Sequence, residues 1–425
     1  MAIDTPAKIA ILGAGPIGLE AALYARYLGY DVEIFERGEV AENVQRWGHV
    51  RMFSPFRMNS TSLGIAAIRA QDEGHRTPEA DSILTGTQWR DSYLIPLSQT
   101  DLLVDHLRLR TTVVAVARQE FLKHERLNDE DRDESPFRIL VNDSSGNESN
   151  TFADVVIDTT GVYANPNWIG QGGAPALRER DLRNRNRIRY DLPDITGKER
   201  ERYANKRVLV VGNGHSAATS IVNLAKLADQ GSPPRVTWVT RADMNENSSG
   251  PIPEFPDDPL PERIGLARAA NLTIGADRSI VTHWPGTTVS GFTLDNEGKT
   301  IRAEFVGRNA GVGEFDEIIA NVGYRPENAL WSELQVHECY ASGGPMKLAA
   351  KLLGETGQDC LRQVTHGRDS LTNPEPNFYI LGAKSYGRNS NFLISIGIEQ
   401  IRELFSLIGD RENLDLYQGA TKLLG

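Results

Sequence analysis

What the chain lacks narrows it first. Its 425 residues hold two cysteines, Cys339 and Cys360, and no Cys-x-x-Cys anywhere. That excludes a disulfide-stapled scaffold and a vicinal dithiol as the redox centre. No cluster of metal-ligating residues stands out, and no metal is expected. No apolar run approaches the ~18 to 20 residues a membrane span needs, and Met1 to Ala7 show no basic stretch followed by an apolar one. The expectation is therefore a cytoplasmic protein with no membrane partner. Forty-six Lys and Arg stand against 57 Asp and Glu, a net −11 that offers no broad basic face, so no nucleic acid is expected either. Nothing suggests disorder: 40% hydrophobic and 24% charged residues suit a globular chain with room for two or three domains.

Glycine, by contrast, is plentiful, and its placement carries the argument. Lys8 to Arg37 reads as strand, glycine turn, helix and second strand. Ile9 to Leu12 are apolar, Gly13-x-Gly15-x-x-Gly18 supplies the turn, Leu19, Ala22, Leu23 and Tyr27 recur at helical spacing, and Asp31 to Phe35 begin the next strand. This is a dinucleotide-binding fingerprint: Gly13 permits the tight turn, Gly15 lets backbone approach a pyrophosphate, and Gly18 lets the helix pack close. Glu36, 23 residues beyond Gly13, sits where a carboxylate accepts hydrogen bonds from a ribose.

The pattern returns at Lys206 to Arg241, with Gly212-x-Gly214-x-x-Ala217 between strand and helix. Here the following strand ends in Arg241. An acid would repel a 2′-phosphate and an arginine pairs with one, so this site reads as built for NADPH; capping of an exposed strand end is the other reading. A further echo follows each fingerprint. Asp154 to Gly161 and Asp316 to Gly323 are both apolar strands of the same length ending in a small-residue turn, followed by Asn165-Pro166 and Arg325-Pro326.

On these motifs the chain resembles the two-dinucleotide flavoproteins, a superfamily that includes thioredoxin reductase-like enzymes and flavin-containing monooxygenases, over essentially its whole length. The resemblance implies an α/β fold of two Rossmann-like, three-layer β/β/α domains, with FAD on the first and NADPH on the second. The NADPH domain, 205–318, is expected as an insertion into a discontinuous FAD domain, 1–170 and 320–425, with 171–204 as a connector. Gly161, Gly323 and Gly382 are expected beside the cofactors.

Other stretches are more individual. Gln45 to Leu63 mixes aromatic, thioether and hydrogen-bonding groups with no clean period and reads as an irregular segment folded against something. Its Trp47-x-His49-x-x-Met52 and later Pro55-x-x-Met58 look like the matching segment of N-hydroxylating flavin monooxygenases, which implies a place near the flavin ring; core filling by Trp47, Met52 and Met58, and an ordinary hydrogen-bonded His49, are the plain alternatives. A helix is expected over Leu102 to Leu109, capped from Ser98 to Asp101. Strands are expected at Val113 to Ala117 and Arg138 to Val141, joined by a solvated hairpin loop, Lys123 to Pro136. Arg178 to Arg189 is a basic cluster that suits cofactor phosphates, a solvated connector or a subunit interface. Gly250 to Arg263, rich in proline, reads as an ordered loop. Near the C-terminus, Asn377 to Phe392 combines strand, glycine turn and helix start. The disulfide-reductase branch carries Gly-Asp there, whereas Ala383 and Lys384 follow Gly382 here. Lys384 or Arg388 could stabilise charge on a reduced flavin, or lie on a solvent-facing turn.

FAD and NADPH together imply hydride transfer to the flavin, and the acceptor stays open. A dithiol acceptor is missing, because Cys339 and Cys360 read as two buried thiols. Oxygen as co-substrate needs a water-excluding site, which the 47–63 stretch suits, yet the monooxygenase Phe-x-Gly-x-x-x-His-Ser pattern before the second fingerprint is replaced by Ile195 to Tyr203. The leading expectation is a flavin monooxygenase acting on a nucleophilic nitrogen or sulfur of a small molecule. The alternatives are a reductase of a quinone or low-molecular-weight disulfide, and a nucleotide-sensing protein without turnover. Homo-oligomerisation stays open.

Overall fold

Two short strands show how the chain is layered. In Lys8–Leu12 every residue after Lys8 is buried, with Ile9 and Ile11 facing one core and Ala10 and Leu12 facing another. Arg207–Val211 repeats this, with Val208 and Val210 in one core and Leu209 and Val211 in a second. A strand buried on both faces reads as a continuous apolar run and belongs inside a parallel sheet covered on both sides.

The computed structural model describes residues 3–243, 250–255, 258–274, 279–295, 298–354 and 366–424. The chain divides into two compact units, 1–165 with 325–425, and 166–324. In chain order the strands of the first unit are β1 (Lys8–Leu12), β2 (Asp31–Phe35), β3 (Leu107–Arg108), β4 (Thr112–Arg118), β5 (Phe137–Asn142), β6 (Glu148–Ala153) and β7 (Val155–Asp158). The second unit contributes β8 (Ile188–Arg189), β9 (Arg207–Val211), β10 (Arg235–Val239), β11 (Val281–Trp284), β12 (Thr287–Leu294), β13 (Ile301–Gly307), β14 (Gly311–Phe315) and β15 (Glu317–Ala320), and β16 (Phe378–Ile380) completes the first. The helices that matter below are α1 (Pro16–Tyr27), α2 (Glu179–Asn184), α3 (His215–Asp229) and α4 (Ile394–Ile408).

Each unit repeats one plan. The first has a parallel sheet in the order β16-β7-β1-β2-β3 and a three-stranded antiparallel sheet β4-β5-β6. The second has β11-β10-β9-β15-β8 and β12-β13-β14. Helices cover one face of each parallel sheet and the small sheet covers the other, which is the expected three-layer β/β/α arrangement. Register places the chemistry. Leu12 lies opposite both Phe35 and Asp158, so Gly13, Glu36 and Thr159 leave the sheet at one edge. Val211 lies opposite Val239 and Ala320, which brings Gly212, Thr240 and Asn321 to the equivalent edge of the second unit. Ligands of open α/β sheets bind at such carboxyl edges, where the strand order reverses.

Several expectations change. The second unit begins at Pro166, so the 171–204 stretch is part of it: Ile188 pairs with Ile318, and Leu182 and Ile188 join its core. No helix spans 102–109. The α-helical residues stop at Ser98, whose hydroxyl donates back to Ile95 O; Val104–His106 form only a single 3-10 turn, and Leu107–Arg108 pair with β2 instead. Cross-strand pairing at an open sheet edge wins there over local helical spacing. The 123–136 loop is not wholly solvated. Arg132 is buried and, with Arg118, clamps the buried Glu375 carboxylate at 2.6 and 2.7 Å. Gly250 to Arg263 is helical from Pro261 onward, and residues 256–257 lie outside the described residues. Among the described residues no helix is long and apolar enough to cross a membrane.

Candidate dinucleotide sites

In the first unit β1 runs into Gly13, whose φ of +101° is the left-handed region and whose N–H donates to Phe35 O at 2.7 Å. A Cβ on Gly18 would overlap the Gly13 carbonyl oxygen, so the helix can approach the turn this closely only with glycine there. Gly15 differs: a Cβ on it would meet nothing within 4 Å, which leaves open space over the turn. Gly15 is also the N-cap of α1, with no side chain capping the helix and Pro16 in its first turn. Uncapped backbone N–H groups at a helix start beside open space form a ready anion cradle. The Glu36 carboxylate folds over this turn, accepting from Ala14 N and Gly38 N at 2.9 Å each.

β7 closes the other side. Thr159 donates through Oγ1 to Leu12 O at 2.8 Å, which ties the Thr159-Thr160-Gly161 turn to β1. Below it lies a buried charge pair. Lys384, one residue past Ala383, is 1% exposed and puts Nζ 2.6 Å from Asp158 Oδ2 and 3.0 Å from Thr160 Oγ1. Trp331 Nε1 donates to the same carboxylate oxygen at 2.8 Å. Burial pushes the Asp158 carboxyl up, but the Lys384 ammonium and the Thr160 hydrogen bonds more than offset it and hold it below the usual carboxylate range. Lys384 is thus neither on a solvent-facing turn nor a spare cation; its charge is matched within the fold. Arg388 is exposed, and the Gly382 N–H is bonded to Gln400 Oε1 on α4. Sequence reading missed Asp158 and Thr160. The available signal was an acid closing an otherwise apolar strand, Val-Val-Ile-Asp.

The 47–63 stretch is irregular, as expected, and lies along residues 82–89. Met52 N donates to Leu84 O at 2.8 Å, Gly86 N to Val50 O at 3.0 Å and Thr87 N to Gly48 O at 2.8 Å. The Trp47 ring packs on Gly86, and Met52 lies against the helix-side core. His49 is set apart by its Nε2, which is shut off from solvent and has no hydrogen-bond partner among the described residues. A buried polar atom left unpaired is costly and marks a place where a ligand group or water is accommodated.

The second unit builds the same turn with different crowding. Gly212 has φ +133°, and a Cβ on it would overlap Asn321 O, whereas Ala217 is fully buried without conflict. Gly214 caps α3 with no side-chain bond and again has nothing within 4 Å of a Cβ position. Asn321, at the end of β15, accepts from Ser220 Oγ at 2.7 Å, and Gly323 follows. Arg241 is exposed, two residues beyond β10. Cys339 is 3% exposed, as a buried thiol should be, and Cys360 lies outside the described residues.

Two parallel sheets, each with a glycine turn and an uncapped helix at its carboxyl edge, define the class: the chain has the fold of the two-dinucleotide-domain flavoproteins. The comparisons agree. Residues 8–44 match the family described as pyridine nucleotide-disulphide oxidoreductase. Bacillithiol disulfide reductase from Bacillus cereus is similar with a TM-score of 0.66 and 19% identity, covering 96% of this chain and 99% of that one. The FAD-bound cadaverine monooxygenase of the desferrioxamine biosynthetic pathway from Erwinia amylovora gives 0.60 and 14%, covering 96% of each chain. Thioredoxin reductase from T. acidophilum gives 0.56 and 15%, covering 94% of this chain and 97% of that one. At these identities the likeness is one of fold. No curated protein sequence matches the chain.

Proposed function

We propose that the chain is a FAD-dependent NADPH oxidoreductase, with FAD on the Gly13 turn and NADPH on the Gly212 turn. The observation that carries this reading is the pair of cradles, Gly15 and Gly214, each open above the turn and each starting a helix without a side-chain cap. The residues present fit both groups. Glu36 keeps free lone pairs on both oxygens for a ribose diol, Gly161, Gly323 and Gly382 let backbone pass close to the cofactors, and Arg241 is exposed where a 2′-phosphate would meet it. Bound together, the two cofactors supply hydride transfer from nicotinamide to flavin and two electrons for an acceptor. The chain's own part is binding, orientation and exclusion of water. In this reading Trp47 and Met52, which pack against the helix-side core, would extend apolar cover toward the flavin, and His49 Nε2, buried without a partner among the described residues, would hydrogen-bond a ligand atom there.

The leading reaction is monooxygenation of a nucleophilic nitrogen or sulfur on a small molecule, with O2 as co-substrate. The absence of any Cys-x-x-Cys supports it, as does the likeness to an amine monooxygenase. Reduction of a low-molecular-weight disulfide is the second reading, favoured by the likeness to a bacillithiol disulfide reductase. One experiment separates them. The purified protein is mixed with NADPH without oxygen until its yellow colour bleaches, then given either oxygen with cadaverine or bacillithiol disulfide alone, and product is counted per NADPH. Hydroxylated amine in proportion to NADPH supports the first reading and thiol the second. Failure of NADPH to bleach the protein sinks both and leaves a nucleotide-sensing role.

A further inference from the structure

Within the second unit, beside the stretch that bridges to β12 at Gly170 and Leu177, lies a 460 Å³ cavity lined by Trp168, Pro175, Arg180, Arg183 and Asn184. Small-organic-ligand sites occupy about 300–1,000 Å³, so a bare inorganic ion would leave most of this volume empty. The cavity draws on the basic run 178–189, and the way that run is spent is informative. Arg178 and Arg185 pair with Asp181 at 3.5 and 2.8 Å, Arg187 bonds Lys299 O at 3.0 Å, and Arg189 pairs with Asp191 and Glu199 at 3.2 and 3.1 Å. Arg180 and Arg183 are different. Among the described residues neither guanidinium has an ion pair or hydrogen bond, and these are the two that line the cavity. They stand three apart on α2, a spacing at which like charges repel unless an anion lies between them.

The walls are built to hold position. Glu179, fully buried at the start of α2, accepts from Ile169 N at 2.8 Å, Ala176 N at 2.7 Å and Tyr190 OH at 2.6 Å. Ile169 and Ala176 are the immediate neighbours of Trp168 and Pro175, so one carboxylate anchors both apolar walls. Its lone pairs are spent on those donors rather than on the arginines. Arg183 is held by aromatic faces, 5.0 Å from the Trp168 ring centre and 5.3 Å from Tyr190, which fixes the guanidinium plane and leaves its N–H edge for a ligand.

We infer that this cleft is a binding site for a small organic anion: a phosphate or carboxylate head held by Arg180 and Arg183, and a flat body lying against Trp168 and Pro175. None of its five lining residues belongs to the Gly212 turn, and Arg241 does not line it. The inference holds whether or not the chain turns over.

Titration calorimetry of the purified protein with phenyl phosphate, benzoate and inorganic phosphate tests it. One of the two aromatic anions binds at least tenfold more tightly than inorganic phosphate, and which one it is identifies the head group. In R180Q, an exposed change that leaves packing intact, and in R183Q, that affinity falls at least tenfold, while R183K falls less and R241Q is unchanged. Quenching of Trp168 fluorescence, absent in W168F, places the ligand in the cleft. Equal affinity in R180Q and wild type overturns the inference, as does loss in R241Q, which would mean that the probe sits in the cofactor's site, or failure of both aromatic anions to bind.

Discussion

The two glycine turns share a spacing and differ in where the chain is crowded and how the return strand is fastened. In the first unit the tight spot is Gly18 against the Gly13 carbonyl; in the second it is Gly212 against Asn321, while a buried Ala217 stands where the first unit has Gly18. The first return strand is fastened by a buried ion pair, Asp158–Lys384, and the second by a neutral bond, Ser220 to Asn321. The same local geometry can thus rest on different physics, and the difference is measurable. Breaking a buried pair by removing one partner costs about 3–5 kcal/mol, because the other charge stays desolvated. Lys384→Met should therefore lower stability by about 4 kcal/mol in urea unfolding, with part recovered in Lys384→Met/Asp158→Asn. Ser220→Ala should cost only about 1–2 kcal/mol. Equal losses at the two sites would erase the contrast.

The crowding difference gives the next effect. Gly18→Ala drives a methyl into a backbone oxygen that cannot move without opening the turn, an overpacking cost of about 3 kcal/mol, and the protein should purify with little flavin. Gly15→Ala has room and should keep the fold while weakening flavin binding. A Gly18→Ala protein that melts like wild type and stays yellow would show that the first turn is no tighter than the second.

Buried titratable groups set the units against each other in pH. Glu20 on α1 accepts from Thr61 Oγ1 at 3.0 Å and from the Tyr93 hydroxyl, and burial pushes its carboxyl up to about 7. A raised carboxyl keeps its proton in the folded state while the unfolded chain ionises near 4.5, so its contribution is intact below that pH and lost as pH rises to about 7. Glu20→Gln should gain about 3 kcal/mol relative to wild type on going from pH 5 to pH 8. In the second unit burial pushes His283 down to about 4 from 6.5, so its contribution is present above 6.5 and lost as pH falls toward 4. His283→Gln should flatten the acid limb and leave the alkaline one alone. Parallel pH profiles for wild type and Glu20→Gln would remove the first half of this contrast.

What the sequence revealed and what it hid divide along contact distance. Strand, turn and helix of each fingerprint were legible because everything that builds them lies within about 35 residues, and the echo of Asp154–Gly161 in Asp316–Gly323 exposed the repeated plan. Arg132 looked solvated because its partner Glu375 is 243 positions away, and Lys384 looked unmatched because Asp158 is 226 away. The helix expected at 102–109 failed for the same reason, since the unpaired edge of β2 competes for those residues. The basic run 178–189 was visible as charge, but only the fold shows which arginines are already paired.

The smallest effect concerns the two charged residues that follow matching strands, Glu36 after β2 and Arg241 just beyond β10. Glu36 is folded onto its turn by two backbone N–H groups, while Arg241 stands exposed. A carboxylate oriented by the backbone suits a neutral diol, and an exposed guanidinium suits a doubly charged phosphate. Swapping the sign should act on one cofactor only. Arg241→Glu should weaken NADPH binding about tenfold or more, roughly 1.4–2 kcal/mol, and change NADH by less than about threefold. Because the residue is exposed, solvent screens this pairing, and the NADPH penalty should shrink as salt rises while the NADH affinity stays flat. Equal losses for both cofactors, or a penalty indifferent to salt, would return Arg241 to an exposed residue beyond a strand end.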